Sequence, residues 1–226
     1  METIRIAIDG PSGAGKSTLA RSVAAKLGYL YVDTGAIYRT IGYYAYTRGV
    51  DPGDEDAVTG SLPEISVALS YGEDGLQHMQ LNGEDVTEEI RLPEISRFAS
   101  AVSAHPGVRA FLLEMQRKLG RENSVVMDGR DIGTVVLPDA QVKIFLTASP
   151  EARAERRRLE LERRGTPQPF ARVLQDIRER DWNDTHRAAA PLRQAEDAVL
   201  LDTTDLNFEE SEAALLALIR ERTGGA

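Results

Sequence analysis

Gly10-Pro11-Ser12-Gly13-Ala14-Gly15-Lys16-Ser17 is the stretch on which the fold turns. It matches the pattern G-x-x-x-x-G-K-[S/T] at every position. Ile4, Ile6 and Ile8 precede it as a short β-branched run that reads as a strand. Ser17 to Leu27 follows as a predicted helix, with Leu19, Val23 and Leu27 on one face and Gly28 as its stop. The spacing has a chemical reason. Glycines let backbone N–H groups converge on phosphate oxygens without Cβ clashes. The helix that begins near Lys16 presents its positive end to the same anion. Lys16 reaches β- and γ-phosphates, and the Ser17 hydroxyl can ligate Mg²⁺. The plain alternative is a glycine-rich turn with a chance lysine. The strand before it and the helix after it argue against that, as does the scarcity of lysine, four residues against 23 arginines.

Outward from the loop, Tyr29–Val32, Ser124–Met127, Lys143–Leu146 and Val199–Leu201 read as further strands, and Phe208–Arg222 as a C-terminal helix. Strands alternating with helices predict an α/β protein whose parallel sheet is covered on both faces. Two stretches interrupt this body. Residues 51–94 carry twelve acids and one base, net −11, while the rest of the chain is +2. Within them Ser66–Leu69, Met79–Leu81 and Asp85–Val86 read as short strands, and Asn82-Gly83 is a hairpin signal. An antiparallel β insertion is expected, its charge facing solvent. Residues 151–187 hold ten arginines and eight acids and read as two helices broken at Gly165–Pro169. The expected division is a core from 1–50, 95–150 and 188–226, an acidic insertion over 51–94 and an arginine-rich segment over 151–187.

The whole chain of 226 residues is 42% hydrophobic and −9 net, with a pI near 5.0. It is long enough to bury a core without staples. The acidic balance argues against a general nucleic-acid binder, which shows a basic surplus. With no cysteine there is no disulfide framework, thiolate zinc site or catalytic thiol. The opening METIRIAIDG is not expected to be a signal peptide, and no apolar run is long enough to span a membrane. A soluble cytoplasmic protein is expected.

Other phosphate-loop classes can be tested on the sequence. None of Lys16, Lys26, Lys118 and Lys143 is preceded by Asn, so the N-K-x-D base reader of Ras-type GTPases is missing. No L-S-G-G-Q signature of transport ATPases occurs. A small-molecule kinase needs a second anion site and arginines to stabilise the transferring phosphoryl. Asp33-Thr34-Gly35-Ala36-Ile37-Tyr38-Arg39 offers a hydroxyl, a glycine and an arginine after a strand; it also reads as an ordinary N-cap with a solvated Arg39. Asp128-Gly129-Arg130-Asp131-Ile132-Gly133-Thr134 follows a buried strand, where ligands gather in open α/β sheets. There Asp128 suits Mg²⁺, directly or through water, Arg130 a bidentate phosphate, and Asp131 a base amino group. The alternative is a loop salt bridge. Arg180, Asp184 and Arg187 fall on one helix face, as does any surface ion-pair ladder. Most of Arg153, Arg156, Arg157, Arg158, Arg163 and Arg164 are expected to be surface charges. His78, His105 and His186 share no metal-ligand spacing. An ATP-binding regulatory module, or a kinase for a deoxynucleoside or shikimate-like metabolite, also remains open.

Four motifs in order resemble those of the bacterial cytidylate kinases, within the nucleoside-monophosphate kinases. They are Ile8-Asp9-Gly10-Pro11-Ser12-Gly13-Ala14-Gly15-Lys16-Ser17-Thr18, Asp33 to Arg39, Asp128 to Val136, and Arg180-Asp181 continuing to Arg187-Ala188. The resemblance implies a P-loop three-layer fold with a monophosphate-binding insertion and a short helical lid over 151–187. It implies phosphorylation of CMP or dCMP by ATP with Mg²⁺, in pyrimidine metabolism, by a monomer needing no nucleic-acid polymer and no membrane. ATP would be held by Gly10 to Thr18. Ser100 and, nine residues later, Arg109 fit the pair that reads the cytosine ring, joined by Asp131. The same resemblance gives Arg39 and Arg130 to the CMP phosphate, Thr34 and Tyr38 to substrate binding, Arg180 and Asp184 to the ribose, and Arg187 to the phosphates. Lys16, Arg130 and Arg187 would be catalytic, with Ser17 and Asp128 the metal ligands. Thr34 stands where many members have serine, which preserves the hydroxyl.

Overall fold

A computed structural model describes residues 3–72 and 75–224. The first strand is β1 (Arg5–Asp9), followed by α1 (Lys16–Leu27), β2 (Leu30–Asp33) and α2 (Thr34–Arg48). Next come α3 (Glu55–Ser61), β3 (Val67–Tyr71), β4 (Gln77–Leu81), β5 (Glu84–Asp85), α4 (Pro93–Val102) and α5 (Pro106–Glu122). The chain ends with β6 (Val125–Gly129), β7 (Val142–Thr147), α6 (Pro150–Arg163), α7 (Phe170–His186), β8 (Val199–Asp202) and α8 (Phe208–Thr223). Two compact units partition it: the chain up to Tyr31 together with that from Gly120 onward, and Val32–Leu119.

The first unit is built on a five-stranded sheet of order β2-β6-β1-β7-β8. Its β1–β6, β1–β7 and β7–β8 pairings are parallel. Consecutive residues Ile6, Ala7 and Ile8, and Val125, Val126 and Met127, are all fully buried. A strand buried on both faces needs continuous apolar sequence rather than alternation, and that is what β1 and β6 carry. Leu19, Val23, Leu215 and Ile219 from α1 and α8 close one face. Gly28 ends α1 in the left-handed region (φ 67°), its N–H donated to the last-turn carbonyls of Ala24 and Ala25. That is the glycine stop the sequence predicts. The arginine-rich stretch forms α6 and α7, with Ala154, Val173 and Ile177 packed between them.

The second unit holds the antiparallel sheet β3-β4-β5. Asn82 and Gly83 both take positive φ (52° and 87°), as a two-residue hairpin turn requires. The turn pairs Leu81 with Glu84, so β5 begins at Glu84 rather than at Asp85 as expected. The ten acids of the 51–94 window that are described are all exposed; Glu73 and Asp74 lie outside the described residues.

The helices α4 and α5 have no counterpart among the sequence expectations. Ile95, Ala99 and Val102 form the buried stripe of α4, which packs on α2. Gly42 permits that approach: a Cβ there would sit 2.7 Å from the Ala99 backbone nitrogen. Gly42→Ala is therefore expected to destabilise the protein by about 1–3 kcal/mol through overpacking. Thermal unfolding should show this as a Tm lower by several degrees, at about 2–4 °C per kcal/mol. An unchanged Tm would mean that α2 and α4 can separate freely.

Candidate active site

In the first unit the loop between β1 and α1 is shaped by close backbone approach. A Cβ on Gly10 would fall 1.9 Å from the Leu146 carbonyl oxygen, and Gly10, Gly13 and Gly15 all have positive φ. No side chain fits at 10, so the loop can only be glycine there. Lys16 is buried and donates to the Pro11 carbonyl at 2.7 Å. Burial first, then the nearby positive charge of Arg130, push the Lys16 ammonium down to about 7, against the opposing pull of Asp128, Asp184 and Asp9. Ser17 and Thr18 are exposed at the mouth of the loop.

Asp128 is buried in the last part of β6 and accepts from Ser17 Oγ (2.9 Å) and from the Tyr31 hydroxyl (2.8 Å). Tyr31 is a positioning partner that the sequence reading did not pick out. Among the described residues there is no group of three or more His, Asp or Glu side chains able to hold a metal ion. The Ser17–Asp128 oxygen pair nevertheless suits Mg²⁺, which takes one or two protein oxygens and fills its shell with phosphates and water. The donor set fits.

Asp9 was likewise not singled out, although it orders the next motif. Its carboxylate accepts the Ile132 and Gly133 N–H groups, each at 2.7 Å, and so anchors the π-turn Ile132–Val136. Burial pushes the Asp9 carboxyl up to about 6, and the two backbone bonds hold it back from going further. Just before that turn, Arg130 Nε donates to Asp184 Oδ2 at 2.7 Å. Arg187 Nη2 lies 3.5 Å from Asp131 Oδ1, both side chains nearly enclosed. Burial raises the Asp184 carboxyl, but the guanidiniums of Arg130, Arg180 and Arg187 outweigh it and hold it below the usual carboxylate range. Two carboxylates and three guanidiniums thus share one cluster. This is the loop salt bridge weighed for Arg130, but it is buried and beside Lys16 rather than a surface pair.

One expectation is corrected here. Arg180, Asp184 and Arg187 do not share one helix face, because α7 ends at His186. Arg187 has extended backbone (φ −62°, ψ 142°) and reaches the cluster from the following loop, where its Nε donates to the Ala190 carbonyl.

The second unit gathers the other predicted residues. Asp33 caps α2 by accepting the Ala36 N–H at 2.9 Å, and its second oxygen takes Arg39 Nη2 at 2.7 Å. The N-cap reading is correct for Asp33, while Arg39 is paired rather than solvated. Gly35 leaves room for this: a Cβ would meet Asp33 Oδ1 at 3.0 Å and Arg39 Nη1 at 3.2 Å. Thr34 is buried. Gln77, missed by the sequence reading, grips Asp33 from β4. It accepts the Asp33 N–H at 2.8 Å and donates to its carbonyl at 3.2 Å. The Arg109 guanidinium lies 5.5 Å from the Tyr38 ring centroid and donates to the Ser103 carbonyl. Ser103 in turn donates to the Ser100 carbonyl, which links Ser100 and Arg109 through the α4–α5 turn.

Comparison with known proteins gives a consistent result. The family described as cytidylate kinase matches residues 6–221. The cytidylate kinase of Carboxydothermus hydrogenoformans is 49% identical over 216 residues, covering 96% of this chain and 97% of its own. That of Desulfitobacterium hafniense is 48% identical over 221 residues, covering 98% and 94%. That of Caldicellulosiruptor bescii is 47% identical over 218 residues, covering 96% of each.

Proposed function

The chain belongs to the cytidylate kinase family, and from that premise we propose that it transfers the γ-phosphoryl group of ATP to CMP or dCMP, yielding ADP with CDP or dCDP. The observation that supports this best lies in the first unit: a glycine loop with no room for a Cβ at Gly10 leads into buried Lys16, Ser17 bonds Asp128, and Arg130 bonds Asp184. Buried cations are costly unless anions accompany them. Phosphate oxygens are such anions.

Phosphoryl transfer needs positioning and charge neutralisation, not a covalent protein intermediate. A phosphate oxygen of CMP attacks the γ-phosphorus in line, the bond to the β,γ-bridging oxygen breaks, and ADP leaves. In this reading Gly10 to Thr18 hold the ATP phosphates, with Lys16 neutralising the β- and γ-oxygens. Arg130 and Arg187 stabilise the charge on the moving group. Arg180 and Asp184 hold the ribose. From the second unit, Arg39 serves the CMP phosphate and Thr34 and Tyr38 the substrate, while Ser100 and Arg109, with Asp131, read the cytosine. Ser17 and Asp128 would hold Mg²⁺, directly or through water. When bound, it supplies neutralisation of the phosphate oxygens. The stretch 151–187 acts as the lid that excludes water. A cytoplasmic monomer acting on small molecules alone completes the proposal. Among the described residues no helix is long and apolar enough to cross a membrane.

The Lys16 environment makes ATP binding proton-linked. At about pH 8 a lysine with a pKa near 7 is mostly neutral in the free protein, and phosphate anions favour its charged form. ATP binding is therefore expected to take up close to one proton at that pH, and affinity to fall as pH rises above about 7. Calorimetry in buffers of different ionisation enthalpy measures the uptake. A value near zero would contradict the buried-lysine picture. The acceptor itself is tested by coupled ADP release with CMP, dCMP, UMP and AMP, in which CMP should be preferred to AMP.

A further inference from the structure

Arg153 is the fourth residue of α6 and only 3% exposed. A cation in the first turn of a helix opposes the macrodipole, and a buried guanidinium is costly unless its donors are met. The acceptors that justify this placement come from three elements. Arg153 Nε donates to the Ala148 carbonyl just after β7 (2.9 Å). Nη1 donates to the Ser12 carbonyl inside the phosphate-binding loop (3.0 Å). Nη1 and Nη2 also hold both carboxylate oxygens of Asp181 on α7, at 2.9 and 2.6 Å. Its neighbours differ: Arg157, Arg158 and Arg164 form an i,i+3 and i,i+4 ladder on the surface, as the sequence predicts for most of this stretch.

A trans peptide points its C=O and N–H in opposite directions within one plane. By engaging the Ser12 carbonyl, Arg153 turns the N–H of Gly13 away from the guanidinium and leaves it available as a donor. The Arg153 Cβ would lie 3.4 Å from a Cβ on Gly13, so the start of α6 packs directly against this part of the loop. The preceding carbonyl, that of Pro11, is taken by Lys16. Two successive loop carbonyls are thus each pinned by a cation. Asp181 adjoins Arg180 and lies one helical turn before Asp184.

We propose that Arg153 is a positioning residue for phosphoryl transfer. It sets the peptide plane of the phosphate-binding loop and, through its bidentate pair with Asp181, couples that loop to α7. The α7 half of this statement rests on the kinase reading above; the loop half needs only that the loop binds a nucleotide. Lysine cannot replace Arg153, since one ammonium has no planar fork to serve three acceptors at once.

The test is made on the full-length protein with Arg153→Lys, Asp181→Asn, the double variant and Arg158→Gln. Titration with a fluorescent ADP analogue and steady-state kinetics with ATP and CMP are the readouts. Arg153→Lys is expected to weaken ADP binding about tenfold, the scale of lost charge-assisted hydrogen bonds. It should also lower kcat, with KM for CMP held within about twofold. Asp181→Asn should weaken ADP binding by a few-fold through the loss of its bidentate hold on Arg153. The double variant should be no worse than Arg153→Lys, because the two losses lie on one path. Arg158→Gln, on the exposed ladder, should change nothing.

Several outcomes overturn the proposal. One is wild-type ADP affinity and kcat in Arg153→Lys, even with a lowered Tm. Others are strictly additive losses in the double variant, or an equal loss in Arg158→Gln. If Arg153→Lys does not fold, unchanged ADP affinity in Asp181→Asn overturns it alone. A wild-type protein that binds ADP but leaves CMP unphosphorylated refutes the kinase reading, while the ADP titrations still decide the role of Arg153.

Discussion

Replacing Arg130 by alanine is expected to lower kcat with CMP by about 10³-fold or more, the scale of arginines that neutralise a transferring phosphoryl group. Arg130 directly follows β6, and its side chain is aimed chiefly by the bond from its Nε to Asp184 at 2.7 Å. That bond uses one edge of the guanidinium as an anchor. Removal takes away the cation and leaves a carboxylate in a buried setting. Arg180 and Arg187 still lie close enough to lower the Asp184 pKa, so the protein should fold at 25 °C with a Tm reduced by a few degrees. Arg130→Lys should recover only part of the rate, because a point charge cannot hold both a carboxylate and a phosphate in one plane. Rates within about tenfold of wild type for the alanine variant would remove Arg130 from the transition state.

The second large effect is expected at Lys16. Methionine there keeps the length of the side chain and removes the charge. Lys16 is 5% exposed and its ammonium is already driven towards neutrality by burial and by Arg130. The variant should therefore be as stable as the wild type, or more so, since a buried cation near another cation is lost. Its kcat/KM for ATP should fall by about 10³-fold, because the charge that meets the developing negative oxygens is gone. Stability and activity then move in opposite directions, which separates a catalytic role from a structural one. A stable Lys16→Met protein that retains most of its rate would show that the loop N–H groups suffice.

Most of the first unit was legible because its signals are local. The glycine loop, the continuous apolar strands and the Gly28 stop each act within a few residues. The Asn82-Gly83 hairpin was legible for the same reason, apart from a one-residue shift that follows from the turn itself. What escaped depends on distant partners. Asp9 reads as the end of a strand, yet its carboxylate organises Ile132 and Gly133, over 120 residues away in the sequence. Gln77 reads as a polar strand residue, yet its amide copies backbone pairing to Asp33. Arg153 lay hidden among arginines that do form a surface ladder. The available signal was its place in the first turn of a helix, where a cation is disfavoured unless something holds it. Arg187 was assigned to a helix face because spacing alone does not show where α7 stops. The net charge of −9 is the least informative figure, since the described acids of the 51–94 window are solvent-facing while the cluster around Lys16 is rich in arginine.

Specificity for the acceptor base is the central claim, and a competition experiment tests it most directly. Equimolar base-labelled CMP, UMP, AMP and GMP are incubated with the protein, Mg²⁺ and a limiting amount of unlabelled ATP, and the labelled diphosphates, which exclude the ADP left by the donor, are separated and quantified. The product ratio equals the ratio of kcat/KM values, free of differences in enzyme concentration. Labelled CDP should exceed each other labelled diphosphate by about tenfold or more, as expected when buried polar groups are matched to one base. Equal yields, or a product dominated by ADP formed from AMP, would contradict the account.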